Sequence, residues 1–224
     1  MKKVLSLALA CFTAMVLAVT ASAEEFNGAD LFTVDIPDGY NQTAAATSDF
    51  NFVSDDGTSF SVAYVDNTQE GKIFCPANMS KKQIKEYTDG LCAESVQVMT
   101  EYTDDFKMEV VSSEKKEHKD GSVALVTQFK TTVRIKEKEQ VYFQKVYEFG
   151  GINYKYTFTY TTQTEDEKDD FQDVFDSVDI FEAYVRSRKE SVAVYAIAAA
   201  MAVVIMLGII RFIKTPEKRR KGKL

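Results

Sequence analysis

The chain has one histidine, no tryptophan and three cysteines, and each shortage removes a class of chemistry. A Ser-His-Asp triad or a histidine-bearing metal site would have to be built on His118. That residue lies in the charged run EKKEHKDG, which reads as a solvated turn. No glycine-rich phosphate loop, H-E-x-x-H or paired C-x-x-C occurs. The clusters Asp55-Asp56, Asp104-Asp105 and Glu165 to Asp170 offer the carboxylate oxygens that calcium takes, but none has EF-hand spacing. Hairpin-turn and helix-start roles fit them instead. No catalytic, cofactor-binding or metal-binding residue is assigned. Without tryptophan, phenylalanine and tyrosine must fill the core, and 16 and 11 of them are available.

Charge is missing altogether from one long stretch, VAVYAIAAAMAVVIMLGII, Val192 to Ile210. As a helix it would span ~28 Å, about the hydrocarbon thickness of a bilayer. A buried core helix is the competing reading. Arg211, Lys214 and the closing KRRKGKL follow it, and Lys and Arg beside a span stay on the cytoplasmic side. The expected topology is a transmembrane helix over 191–213, a basic cytoplasmic tail over 214–224, and the rest of the mature chain outside. At the other end, MKKVLSLALACFTAMVLAVTASAEE has a basic start, an apolar run and Ala21-Ser22-Ala23. It reads as a signal peptide over 1–23, with the mature protein beginning at Glu24. Cleavage ahead of a lipid-modified Cys11 is the alternative. The brief, lysine-led leader is bacterial in style.

Between these ends lies a domain over 24–182, joined to the span by a linker over 183–190. Residues 24–190 hold 18 basic and 33 acidic residues, a net charge of −15. Such a field repels nucleic acid and anionic headgroups and favours a basic partner surface, although acidity also serves solubility. The mature domain keeps only Cys75 and Cys92. Outside the membrane a lone pair reads as one disulfide, worth ~3 kcal/mol by chain entropy, with free thiols or redox chemistry as the other options.

Glu24 to Asp30 reads as a polar lead-in, and Phe32, Val34 and Ile36 alternate in a first strand stopped by Pro37 and Asp38-Gly39. Asn41 to Ser48 reads as a loop. Asp56-Gly57 between two alternating runs predicts a hairpin, with Phe60, Val62 and Tyr64 on one face. Ser80 with Gln83 forms a capping box, and Ile84, Tyr87 and Leu91 follow at helical spacing. Four strands then form a meander, turning at Asp120-Gly121, at EKE and at Gly150-Gly151. In the last, Ile152, Tyr154, Tyr156, Phe158 and Tyr160 face one way. A second capping box, Thr164 with Glu167, opens a helix with the apolar stripe Phe171, Val174, Phe175 and Val178, and Ile180-Phe181 adds a short strand.

The predicted fold class is α+β, a mainly antiparallel sheet with two packed helices, plus one transmembrane helix. This element order resembles the PsbP-like (DcrB-like) sandwich. Phe32-Thr33-Val34-Asp35-Ile36-Pro37-Asp38-Gly39-Tyr40 is similar to its start, and Phe175, Ser177 and Phe181 to its end, over about residues 30–181. The resemblance implies an extracytoplasmic accessory or binding protein beside a membrane complex, with no catalytic set. The expected function is therefore a tethered, non-catalytic module. Its partners would be the bilayer, through 191–213, and a membrane-proximal envelope protein with a basic surface. A carboxylate-based hydrolase and a structural or envelope-stress component are the alternatives.

Overall fold

Period-two alternation becomes two antiparallel sheets. In the computed structural model the described residues are 24–44, 48–68, 73–103, 105–135, 138–165, 171–182 and 184. The chain divides into two compact units, Met1–Val185 and Arg186–Leu224, and every described residue belongs to the first. The expected signal peptide with Cys11, most of the linker, the span over 191–213 and the tail lie outside the described residues. Among those described, no helix is long and apolar enough to cross a membrane.

The smaller sheet joins β1 (Glu24–Gly28), β2 (Phe32–Ile36) and β10 (Asp179–Ile180) in the order β1-β2-β10. The larger contains β3 (Tyr40–Thr43), β4 (Phe50–Ser54), β5 (Ser59–Asp66), β6 (Phe106–Glu117), β7 (Val123–Ile135), β8 (Lys138–Gly150) and β9 (Tyr154–Thr162). Its order is β3-β4-β5-β9-β8-β7-β6. Helix α1 is Lys81–Met99 and α2 is Gln172–Ser177.

Cross-strand register sorts the side chains. Phe60 stands opposite Tyr160, Val62 opposite Phe158, and Phe158 opposite Tyr147. These residues share one face, which the small sheet (Phe32, Val34, Ile36) and α2 (Val174, Phe175) cover in a single aromatic-rich core. On the other face Met99 at the end of α1 closes over Phe106, Met108, Phe129, Val133 and Val146. Beside that cluster the second face is largely polar yet buried, with Ser61, Thr159 and Thr127 in line across the strands. A hydrogen-bonded chain runs through it, Thr131 Oγ1 to Gln144 Oε1 at 3.3 Å and Gln144 Nε2 to Thr161 Oγ1 at 3.4 Å.

Several expectations are met and others corrected. The Asp56-Gly57 hairpin joins β4 to β5, with Gly57 at φ +85°. The Ser80–Gln83 box is present in both directions, and the helix runs through Gly90 to Met99. The lead-in from Glu24 is instead strand β1. It reaches β2 through Ala29 and Asp30, both in the left-handed region at φ 55° and 58°, with Leu31 N–H bonded to Gly28 O at 3.0 Å. The expected loop from Asn41 begins inside β3, which starts at Tyr40 and pairs with β4. Ile152 belongs to the β8–β9 turn and is exposed. Helix α2 starts at Gln172 with no side-chain cap, and the proposed Thr164–Glu167 box falls partly outside the described residues.

The β8–β9 turn is tight for a steric reason. A Cβ on Gly150 would sit 2.0 Å from the carbonyl oxygen of Phe74. Backbone cannot yield as a side-chain tip can, so Gly150→Ala is expected to destabilise by ~1–3 kcal/mol. Equilibrium urea unfolding checks this, and an unchanged midpoint would show that the Phe74 segment moves freely.

Candidate functional site

Only some of the residues singled out from sequence come together. No disulfide joins Cys75 and Cys92, and both side chains are thiols. The two lie in different surroundings. Cys75 is buried ahead of a 3₁₀ turn, Pro76–Asn78, whereas Cys92, within α1, packs against the separate cluster of Met99, Phe106 and Phe129. Cys75 Sγ accepts a hydrogen bond from Asn78 Nδ2 at 3.2 Å. Burial, then Asp89 and Glu109, pushes the Cys92 thiol up to about 11, which disfavours the reactive thiolate.

His118 is not a solvated turn residue. Its side chain is 6% exposed, set edge-on to Phe149 at 5.4 Å. Nδ1 lies 3.2 Å from Asp120 Oδ1 and Nε2 lies 3.3 Å from the carbonyl oxygen of Phe175. Lys119 Nζ donates to the Ser177 carbonyl at 3.1 Å. The charged turn thus caps the carbonyl end of α2, where cationic groups are favoured. Burial would raise the Asp120 carboxyl, but the Ser122 amide, with Tyr184, Ser122 and His118 hydroxyl or ring hydrogens, lowers it to about 2. Asp56 likewise serves its turn, accepting from Ser54 Oγ and from Thr58 N. Among the described residues no three His, Cys, Asp or Glu side chains gather as metal ligands.

The densest polar chemistry was not anticipated. Glu148, on β8, is 1% exposed. Its Oε1 accepts from Lys155 Nζ of β9 at 2.8 Å and from the Tyr87 hydroxyl of α1 at 2.5 Å, and Lys155 also donates to Tyr87 at 3.0 Å. The Lys155 ammonium lies 5.2 Å from the Phe74 ring centre and 5.6 Å from that of Tyr87. Burial, then Glu148, pushes the Tyr87 phenol well above the usual tyrosine range. Burial works against the Lys155 ammonium, yet Glu148 and Tyr87 together outweigh it and hold its pKa above the ordinary lysine value. The cluster is closed on itself and fixes α1 to the sheet. Its sequence signal was a glutamate set between two aromatics, Tyr147 and Phe149.

One feature open to a partner is a cleft of about 210 Å³ on the aromatic face. Phe143 and Tyr160 line it, with Val111 and Gln128 at one side and Lys130 and Lys145 among its walls. Lys130 Nζ stands 5.9 Å from the Phe143 ring centre and Lys145 Nζ 5.8 Å from that of Tyr147. Register produces this grouping, since Phe143 opposes both Lys130 and Thr162, and Lys145 opposes both Gln128 and Tyr160.

No family model matches the sequence, and no curated protein does. Among solved structures, the Ran-binding protein Mog1p of Saccharomyces cerevisiae aligns over 73% of this chain and 97% of its own, at 10% identity and a TM-score of 0.43. A crystal structure from Bacteroides thetaiotaomicron VPI-5482 aligns over 75% of this chain at 13% identity and a TM-score of 0.41. The match spans 50% of that longer protein. Neither likeness carries a function across.

Proposed function

We propose that the chain is a membrane-tethered, non-catalytic binding or accessory module of PsbP-like type. It is held outside the cytoplasmic membrane by residues 191–213 and acts on another envelope protein. The size and lining of the cleft support this best. At about 210 Å³ it falls below the ~300–1,000 Å³ of small-molecule sites, and it suits one large anchoring side chain of a protein partner. The net −15 of the whole domain favours a basic partner surface around the cleft, an attraction that salt screens, while Lys130 and Lys145 in its walls favour an uncharged or acidic anchoring side chain. A carboxylate hydrolase would need an acid pair open to substrate, whereas Glu148 is committed to Lys155 and Tyr87.

A photo-crosslinker placed at Gln128 in the full chain, in native membranes, tests the reading. One membrane-associated protein should be captured, with a yield that falls as salt rises. Phe143→Asp should lower the yield roughly 30-fold, the effect of losing an interface anchor worth ~2 kcal/mol. Undiminished capture by that variant would remove the cleft from the interface. Turnover of a substrate, abolished by changing one Asp or Glu, would establish the hydrolase instead.

A further inference from the structure

Three of the large apolar side chains left in water belong to segments gathered at one end of the domain. Ile73, Ile152 and Phe181 are 54%, 50% and 53% exposed, and they come from three separate segments tied to the same hairpin turn. Asn67 joins the first two, since its Nδ2 donates to Gly151 O at 2.7 Å and to Phe74 O at 3.2 Å. Glu182 joins the third, accepting from Asn153 N at 2.8 Å and Tyr154 N at 3.0 Å. Each exposed residue is the immediate chain neighbour of one of these bonded groups. Among the described residues, several charged groups of this end are engaged. Glu182 is bound to the turn, Asp66 accepts from Thr68 N and Oγ1 at 2.8 and 2.6 Å, Asp120 accepts from Ser122 N at 2.9 Å, and Lys119 donates to the Ser177 carbonyl.

The chain also leaves from here. Tyr184 bridges to Gly151 in the same turn, and Val192, where the uncharged run begins, is eight residues further on. Even fully extended, eight residues reach only ~28 Å. From these two observations we propose that this end of the domain rests on the bilayer, with Ile73, Ile152 and Phe181 entering the boundary between headgroups and acyl chains. The inference rests on the tethered reading above. It fixes which way up the domain stands: the apolar tips face the lipid, and Tyr102, beyond α1, faces away. Tyr102 is placed by its neighbour Thr103, whose Oγ1 donates to Arg134 O at 3.4 Å. Arg134 lies nine strand residues from Leu125, the partner of Glu148, or ~30 Å along β7.

The absence of tryptophan supplies the test. Ile152→Trp, Phe181→Trp and Tyr102→Trp each give the full chain a single indole, to be reconstituted into phosphatidylcholine vesicles brominated on the acyl chains. Ile152→Trp and Phe181→Trp should each lose roughly half their emission, as expected for a side chain ~5–10 Å into the boundary. Tyr102→Trp should keep its emission, and high salt should change none of the three, because the contact is apolar. Two independent reporters guard against one variant failing to fold. Chain that survives an alkaline wash with unquenched indoles at 152 and 181 would overturn the contact and leave the tether standing. Equal quenching at 102 would also overturn it. Loss of the chain in the wash would overturn the tether, and the contact with it.

Discussion

Lys155→Met is expected to destabilise the domain by about 3–5 kcal/mol, the usual cost of leaving one member of a buried ion pair without the other. Glu148 is enclosed, and of its carboxylate oxygens Oε2 has no hydrogen-bond partner among the described residues. Oε1 alone, shared by Lys155 and Tyr87, offsets the desolvation of the charge. Removing Lys155 leaves one hydroxyl to do so. Replacing both partners with apolar residues, Lys155→Met with Glu148→Leu, should recover most of the loss, since a buried pair contributes little beyond a well-packed apolar substitute. Urea unfolding of the two variants measures both. A single variant as stable as the parent would mean that water already reaches Glu148. The same cluster predicts the alkaline limit. Tyr87 and Lys155 both have pKa values raised by folding, from 10.0 and 10.5, so the folded state holds protons that the unfolded chain releases. Their contribution is complete below about pH 10 and is lost as pH climbs beyond it. Lys155→Met should flatten that loss.

The other large effect is expected at Phe175. This side chain is fully buried, stacks on Tyr147 with ring centres 3.7 Å apart, and lies near Phe60 and Phe171. Helix α2 has only six residues, too few to persist by backbone hydrogen bonding alone, so its packing is its stability. Phe175→Ala should cost ~3–5 kcal/mol, a fall of about 10 °C or more in melting temperature for a domain of this size. Phe175→Asp should cost more, because it adds a charge to the cavity. The consequence extends to the His118 turn, which caps α2 through the Phe175 carbonyl. A melting temperature within a degree or two of the parent would show that α2 is not docked.

What could be read from sequence was what local chemistry encodes. Asp56-Gly57 supplies the left-handed residue that a hairpin turn requires, and Ser80 with Gln83 satisfies helix donors from within four residues. Both were legible. The turn at Ala29-Asp30 makes the same left-handed demand, but the Asn27-Gly28 pair ahead of it is spent inside β1, so the strand read as a polar lead-in. His118 was misjudged because its charged neighbours in sequence are not its neighbours in space. Phe149 and the end of α2 enclose it, and only tertiary packing brings them there. Tyr87 and Glu148 are 61 residues apart, beyond any motif. The cleft depends on the register of β7, β8 and β9, which alternation constrains for each strand singly and never for the set. The Cys75–Cys92 expectation was not met, since both are thiols, and a count of cysteines says nothing of which surroundings the fold gives each.

The outer strands carry a last implication. Of the two edges of the large sheet, β3 has four residues, while β6 has twelve, with a bulge between Val110 and Ser112 and the charges Glu114, Lys115, Lys116 and Glu117 toward its end. An unpaired strand of that length would ordinarily invite a neighbour to add its own. Molecules tethered as proposed diffuse in two dimensions, where encounters are frequent and orientations already matched. A bent, charged border lets such copies collide side by side and part again, so crowding within the plane need not seed a fibril.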